Sequence, residues 1–150
     1  MTAAPPPRGP VTDAVVDLLA ATCDVWVGDG TGDPSSDPGV TATGAAPPYL
    51  VVEEVAGSAS YGTVMSPDDM TVVVYQLTGV GATRRAARNV CDRAVTALLA
   101  RSPAGGFVHA LGSGDEVAVT DRRMDVDGGI DQEPGVFNAM ARVALTLCAL

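Results

Sequence analysis

The sequence contains no lysine, few aromatic residues and no long apolar run. All nine basic residues are arginine, which, with much Ala, Gly, Val and Pro, is typical of a GC-rich genome. Aromatic residues make up only 4% of the chain, so the core is predicted to consist of Val, Leu and Ala. No stretch approaches the roughly 20 apolar residues of a membrane-spanning helix, and no membrane contact is predicted.

Residues with catalytic or metal-binding chemistry are few and scattered. Cys23, Cys91 and Cys148 lie far apart in apolar stretches without the spacing of a zinc site, which predicts three small hydrophobic side chains. The one histidine, His109, falls in a short apolar run, predicted to be a strand, and nothing places a nucleophile and an acid beside it. The sequence therefore predicts no catalytic residue, no metal site and no cofactor.

The chain is acidic, with a formal net charge of −9. Binding of DNA through a basic face is therefore not expected. Two explanations of the charge remain open, namely solubility and a surface that lets DNA pass without adhering.

The N-terminus predicts an arm followed by one domain. Residues 1–10 are rich in proline and read as an extended arm; they lack the apolar segment of a signal peptide, so synthesis in the cytosol is expected. Residues 11–150 have the length of a single domain. Thr12 or Asp13 can cap a first helix that ends near Ala21.

The middle of the chain combines strands with one long helix. A short strand at 24–27 carries Trp26 and is followed by a polar loop over 28–46. Strands are predicted at 49–55 and 70–79, and the segment between them, 56–69, is too long for a tight hairpin and reads as a projecting arm. An apolar stripe predicts a helix over 82–101 that packs on the sheet.

The last third of the chain predicts further strands. They cover 107–111, 116–126 with a bulge near Thr120 to Arg122, and 137–147, where apolar residues alternate most regularly. Together these elements predict an α+β fold: about five strands in a mostly antiparallel sheet, with a mixed sheet left open, packed against two helices.

Three motifs suggest ligands only weakly. Asp125–Gly129 resembles part of a calcium loop but lacks the final glutamate, since position 136 is valine; a turn between strands explains it better. Gly79-Val80-Gly81 lacks the third glycine of a dinucleotide fingerprint and reads as a strand-to-helix turn. Four aspartates in or beside the long loop match no known metal-site spacing: Asp24, Asp29, Asp33 and Asp37.

The order of these elements resembles the tail terminator, or tail-completion, proteins of long-tailed phages with non-contractile tails. The resemblance covers most of residues 11–147 and is one of element order, not of a diagnostic motif. The segments that carry it are the helix starting near Val11, the strands Pro47–Val52 and Val72–Leu77, the helix Ala82–Leu99, and Arg122–Asp127 leading into strand 137–147.

The resemblance implies a structural virion protein without enzymatic activity. In that family the subunits form a six-membered ring at the neck of the particle, which caps the tail tube, joins it to the head connector and lets DNA pass without specific binding. The implied partners are further copies of this chain, the tail-tube protein and a head-connector or head-closure protein. The implied place of synthesis is the cytoplasm of a bacterial host.

Two groups of residues are predicted to serve such a ring. The subunit-interface candidates are Tyr61, Met65, Arg84 and Arg88, since Arg84 and Arg88 oppose the dipole of their helix and would gain from acids on a neighbour; codon bias explains them equally well. The pore-lining candidates are Asp125, Asp127 and Asp131. The alternatives are a head-closure or tail-tube subunit and, in another class, a small metal-dependent enzyme that uses the aspartates of loop 28–46.

Overall fold

The computed structural model describes residues 8–28, 48–55, 60–61, 70–111, 115–133 and 135–150. These residues form two helices and six strands. In chain order the elements are α1 (Gly9–Cys23), β1 (Trp26–Gly28), β2 (Tyr49–Val55), β3 (Ser60–Tyr61), β4 (Met70–Gly81), α2 (Arg84–Leu99), β5 (Val117–Glu133) and β6 (Val136–Ala149).

The strands form one mixed sheet in the order β1-β2-β4-β6-β5. Strands β2, β4, β6 and β5 pair antiparallel, and β1 pairs parallel with β2. The two-residue β3 pairs with the start of β4. The predicted α+β class and the mostly antiparallel sheet are confirmed, and the parallel β1 makes the sheet mixed.

Both helices pack on one face of the sheet, where the apolar residues of the strands are buried. On β4 the buried positions alternate strictly from Thr71 to Gly79, the period of 2 expected of a strand with one covered face. Helix α2 contacts β4 and β6, and α1 contacts α2 and β1. The core that these elements share is aliphatic apart from Cys23 and one buried aromatic residue, Tyr75, as the scarcity of aromatic residues predicts.

Helix α1 begins earlier than its capping residues predicted. It starts at Gly9, with Pro10 in its first turn. Proline fits there because the backbone N–H groups of the first turn have no partner within the helix, so its missing N–H costs no hydrogen bond. The last two residues of the predicted arm are therefore helical; residues 1–7 lie outside the described residues. Two contacts fix this end of the helix: Arg8 pairs with Glu54 at 2.8 Å, and the Thr12 and Tyr75 hydroxyls are 2.8 Å apart.

Helix α2 lies very close to β4, and two glycines permit this. A Cβ on Gly79 would stand 2.5 Å from the Ala87 carbonyl oxygen, and one on Gly81 would stand 2.8 Å from the Ala87 nitrogen. Both glycines lie within β4, so the predicted strand-to-helix turn is wrong there. The turn consists of Ala82 and Thr83, and the Thr83 hydroxyl caps α2 by accepting from the Ala86 N–H at 3.1 Å.

Strand β5 extends further than predicted because it continues through the Asp-Gly-Gly sequence. Its pairing with β6 shifts register at three places, of which the first, between Val119 and Asp121, confirms the predicted bulge. The third, between Asp127 and Ile130, contains Gly128, where a Cβ would stand 2.5 Å from the Met140 carbonyl oxygen. The predicted turn at Asp125–Gly129 is therefore wrong: it is a bulge that needs glycine for close approach.

The predicted strand at 107–111 is also wrong. Phe107 makes only an isolated bridge with Arg101, and the segment between them closes on itself. The Ser102 N–H donates to the Gly106 carbonyl at 2.7 Å, and the Val108 N–H donates to the Ala100 carbonyl at 2.9 Å. These bonds satisfy the backbone locally, so the apolar run does not join the sheet.

Candidate functional site

The first turn of α2 carries the exposed Arg84 and Arg85, and the half-buried Arg88 follows in the second turn. The sequence singled out Arg84 and Arg88 as interface candidates. The guanidinium carbon of Arg84 lies 5.6 Å from the centroid of the Phe137 ring, within range of a cation–π contact. Arg88 pairs with Asp127 of the same chain, Nη1 to Oδ1, at 3.7 Å. Arg88 thus has an acidic partner within its own chain. That partner is Asp127 of β5 and not Asp92, the carboxylate one helical turn away in α2.

The other two interface candidates fall in the segment between β2 and β4. The backbone of Tyr61 belongs to β3 and pairs with Met70, which gives the predicted projecting arm one short anchoring strand. Met65 and most of segment 56–69 lie outside the described residues.

The three pore candidates lie on the edge strand β5 and are exposed. They do not share one face. Asp127 stands opposite Ala141, which is buried on the helix side. Asp131 stands opposite Asn138, which lies on the other side because its neighbour Ala139 is buried on the helix side. Asp125 lies in the register shift between Met124 and Val126. The bulges, which sequence spacing cannot locate, separate these carboxylates.

Sequence reasoning missed a cluster of arginines around Phe107. The guanidinium carbons of Arg101 and Arg122 each lie 4.3 Å from the centroid of that ring. Arg122 is only 7% exposed, and its Nη1 donates to the Leu98 carbonyl at 3.1 Å in the last turn of α2. A cation near a helix C-terminus is attracted by the negative end of the helix dipole, so Arg122 stabilises the contact of α2 with β5.

The surroundings of Arg122 also carry a desolvation cost. Its Nε has no hydrogen-bond partner among the described residues, and burial lowers the pKa of the guanidinium. No carboxylate lies within 4.0 Å of it in the described part of the chain. In a sequence pattern, an arginine in a strand is assigned to the solvent side. The burial of Arg122 could have been predicted only from the position of the Phe107 ring in the folded chain.

A polar cavity of about 510 Å³ opens between the end of α1 and the outer side of α2. In it the Arg93 Nη1 donates weakly to the Cys23 carbonyl, at 3.4 Å. Within the described residues, His109 has no hydrogen bond to a hydroxyl, thiol or carboxylate, so the cavity lacks a nucleophile–base pair. Its main lining side chains are Thr22, Asn89, Asp92, Arg93, Thr96 and His109.

Two of the three cysteines are buried thiols. Cys23 and Cys91 are buried and unpaired, as their apolar sequence context predicts. Burial raises the pKa of Cys23 and raises the pKa of Cys91 to about 11, so both remain thiols at neutral pH. Cys148 is half-buried on the sheet.

The described ranges contain neither a metal-binding cluster nor a membrane-spanning helix. They contain no group of three His, Cys, Asp or Glu side chains that could hold a metal ion, and of the loop aspartates only Asp24 belongs to them. Neither α1 nor α2 is long and apolar enough to cross a membrane. No protein-family model matches the sequence, and no curated protein matches it.

Proposed function

We propose that the protein is a structural subunit of a phage particle, one of a ring of copies that caps the tail tube at the neck and joins it to the head connector. DNA passes through such a ring without being bound. The protein then works by presenting surfaces to a tube, to a connector and to further copies of itself.

The order of the elements carries this proposal. A helix, the antiparallel pair β2 and β4 with the short strands β1 and β3, a second helix and a long final hairpin follow one another along the chain. The tail terminator proteins that the sequence resembles share the order of the long elements. Both helices lie on one face of the sheet. No described element covers the opposite face, where Val72, Val74 and Met140 are only partly buried.

The distribution of polar groups agrees with a role in assembly. The described residues contain no nucleophile–base pair and no metal cluster, and the charged side chains of α1, α2 and β5 lie mostly at the surface. The pairing of β5 with β6 holds the carboxylates of β5 along one edge of the sheet. Together with the net negative charge of the chain, these carboxylates disfavour binding of nucleic acid.

The test is disruption of the gene in the phage genome that carries it, with electron microscopy of the resulting lysate. We expect DNA-filled heads without tails, beside unattached tubes of normal or excessive length. A copy of the gene supplied in trans should restore joined particles. Normal joined particles from the mutant would refute the proposal, and lysates without any tubes would identify a tail-tube subunit instead.

A further inference from the structure

Helix α1 exposes an acidic face. Asp13 and Asp17 lie one helical turn apart and are exposed, and Asp24 directly follows the helix as its exposed C-cap residue. The helix contains no basic residue. None of the three carboxylates lies within 4.0 Å of a basic side chain of the described chain. This face, called the acidic face below, is therefore unpaired within the subunit.

The first turn of α2 exposes an arginine patch, formed by Arg84 and Arg85. Asp127 neutralises the nearby Arg88, and the ring of Phe137 lies beside Arg84 without contributing a charge. Neither Arg84 nor Arg85 has a carboxylate within 4.0 Å among the described residues. The patch thus keeps two positive charges in solvent.

Both surfaces are electrostatically unfavourable in a single subunit. Two carboxylates at i,i+4 on a helix repel each other by a few tenths of a kcal/mol. Asp24 stands at the negative end of the α1 dipole, and Arg84 and Arg85 stand at the positive end of the α2 dipole. Each surface would be relieved by a charge of opposite sign, and the other surface supplies it.

The two surfaces do not pair within the described part of one chain. Helix α1 packs on α2 and beside β1, whereas the arginine patch lies at the N-terminus of α2, beside Phe137 of β6. No salt bridge of the described chain joins one surface to the other. Where such a contact between two identical copies is head-to-tail, its repetition forms a ring if the rotation closes and an open filament if it does not. The proposed ring function requires the closed form.

We propose that the acidic face of α1 in one copy binds the arginine patch of α2 in the next copy. This contact rests on the proposed ring function and names the surfaces that would build the ring. The interaction is between carboxylates and guanidinium groups, which pair with directional hydrogen bonds.

Charge reversal tests this contact. One variant combines Asp13→Arg with Asp17→Arg, and the other combines Arg84→Glu with Arg85→Glu. Each variant presents surfaces of equal sign, since one has two basic surfaces and the other has two acidic surfaces. We expect each alone to need at least about 100-fold higher concentration than the wild type to half-assemble, measured by light scattering after size exclusion.

An equimolar mixture of the two variants supplies the sharpest readout. Because the reversed surface of each matches the reversed surface of the other, and the unchanged surfaces also match, the mixture should assemble at concentrations near those of the wild type, in rings with alternating subunits. A repulsion caused only by altered net charge would not be rescued in this way.

The control variant combines Asp115→Arg with Glu116→Arg, two exposed residues before β5 that change the net charge by the same amount as reversal of the acidic face. It should assemble like the wild type, and circular dichroism should show that all variants are folded. Wild-type assembly by both reversed variants would overturn the inference while leaving the ring function in place. A wild-type protein that stays monomeric at all concentrations would also overturn it, whereas the gene disruption decides the proposed function separately.

Discussion

Tyr75 combines burial with a hydrogen bond in a way that affects stability at high pH. Its side chain is fully buried beneath α1, with its hydroxyl 2.8 Å from that of Thr12. Burial raises the pKa of Tyr75 to about 12, although the bond to Thr12 opposes the shift. The neutral phenol is therefore the form that the folded core accepts.

We expect the free energy of unfolding to fall between pH 10 and pH 12. The unfolded tyrosine ionises near pH 10, so above that value the unfolded state loses its proton first and gains stability. The loss approaches about 2.7 kcal/mol above pH 12, since the two pKa values differ by about two units and each unit corresponds to about 1.36 kcal/mol. Below pH 10 this contribution of Tyr75 is fully retained.

Urea denaturation of the wild type and of Tyr75→Phe across this pH range measures the effect. The variant loses the bond to Thr12 at every pH, but its stability should fall less steeply than that of the wild type. The buried thiol of Cys91, with its pKa raised by burial to about 11, titrates equally in both proteins. Parallel pH profiles would show that Tyr75 does not titrate as inferred.

At the scale of elements, the packing of α2 on the sheet depends on a close approach between the backbone of β4 and the backbone of the helix. Gly79 makes this possible, because any side chain there would meet the backbone of Ala87 and Cys91. The buried face of α2 is correspondingly rich in small residues, among them Ala87, Cys91 and Ala94.

Gly79→Ala should lower the free energy of unfolding by about 2 kcal/mol, because the added methyl group forces the helix away from the sheet. Gly129→Ala is the matched control: a Cβ there meets nothing within 4 Å, and its effect should stay within about 0.5 kcal/mol. Chemical denaturation of the two variants measures the difference. Equal midpoints would mean that α2 adjusts without loss.

The sequence predicted those elements whose pattern is decided locally. The alternation of β6 and the apolar stripe of α2 needed only their own residues, and both elements are found with nearly the predicted bounds. The Asp-Gly-Gly sequence was misread as a turn because a bulge depends on the partner strand, here on the carbonyl of Met140. The run at 107–111 was misread because strand formation needs an available edge.

The candidate site was less predictable than the fold. Arg84 was singled out because it opposes the helix dipole, and it lies in the first turn of α2. Arg88 lies one turn later, and its salt bridge to Asp127 joins residues that are distant in sequence. Arg122 was missed altogether, because its burial depends on the aromatic ring of Phe107. The sequence revealed unusual charges but not which charges meet.

At the scale of the whole molecule, charge is unevenly distributed over an acidic chain. The net charge of −9 coexists with the arginine patch on α2, which is the surface most able to attract phosphate. Non-specific DNA binding draws its energy from neutralising several phosphates at once, and two arginines offer little of it. Repulsion from the rest of the chain acts over about 10 Å at 0.1 M salt.

The protein should therefore not retard double-stranded DNA in a gel at 0.1 M salt, even at about 100 µM protein, which is the weak end of non-specific binding. An Arg84→Ala, Arg85→Ala variant should behave identically. A shift at micromolar protein that salt removes and the variant lacks would mean that the arginine patch binds phosphate, and DNA would then not pass freely.

The central position of the β4–β6 ladder has a consequence for how the chain folds. Strands β5 and β6 are neighbours in the sequence, and only segment 56–69 separates β2 from β4. The pairing of β4 with β6 is different, because Gly81 pairs with Phe137 only after all of α2 and β5 has been synthesised. Closing that long loop costs entropy before its contacts repay it. The N-terminal half must therefore wait for the last strand, and the final hairpin completes the core of the whole domain.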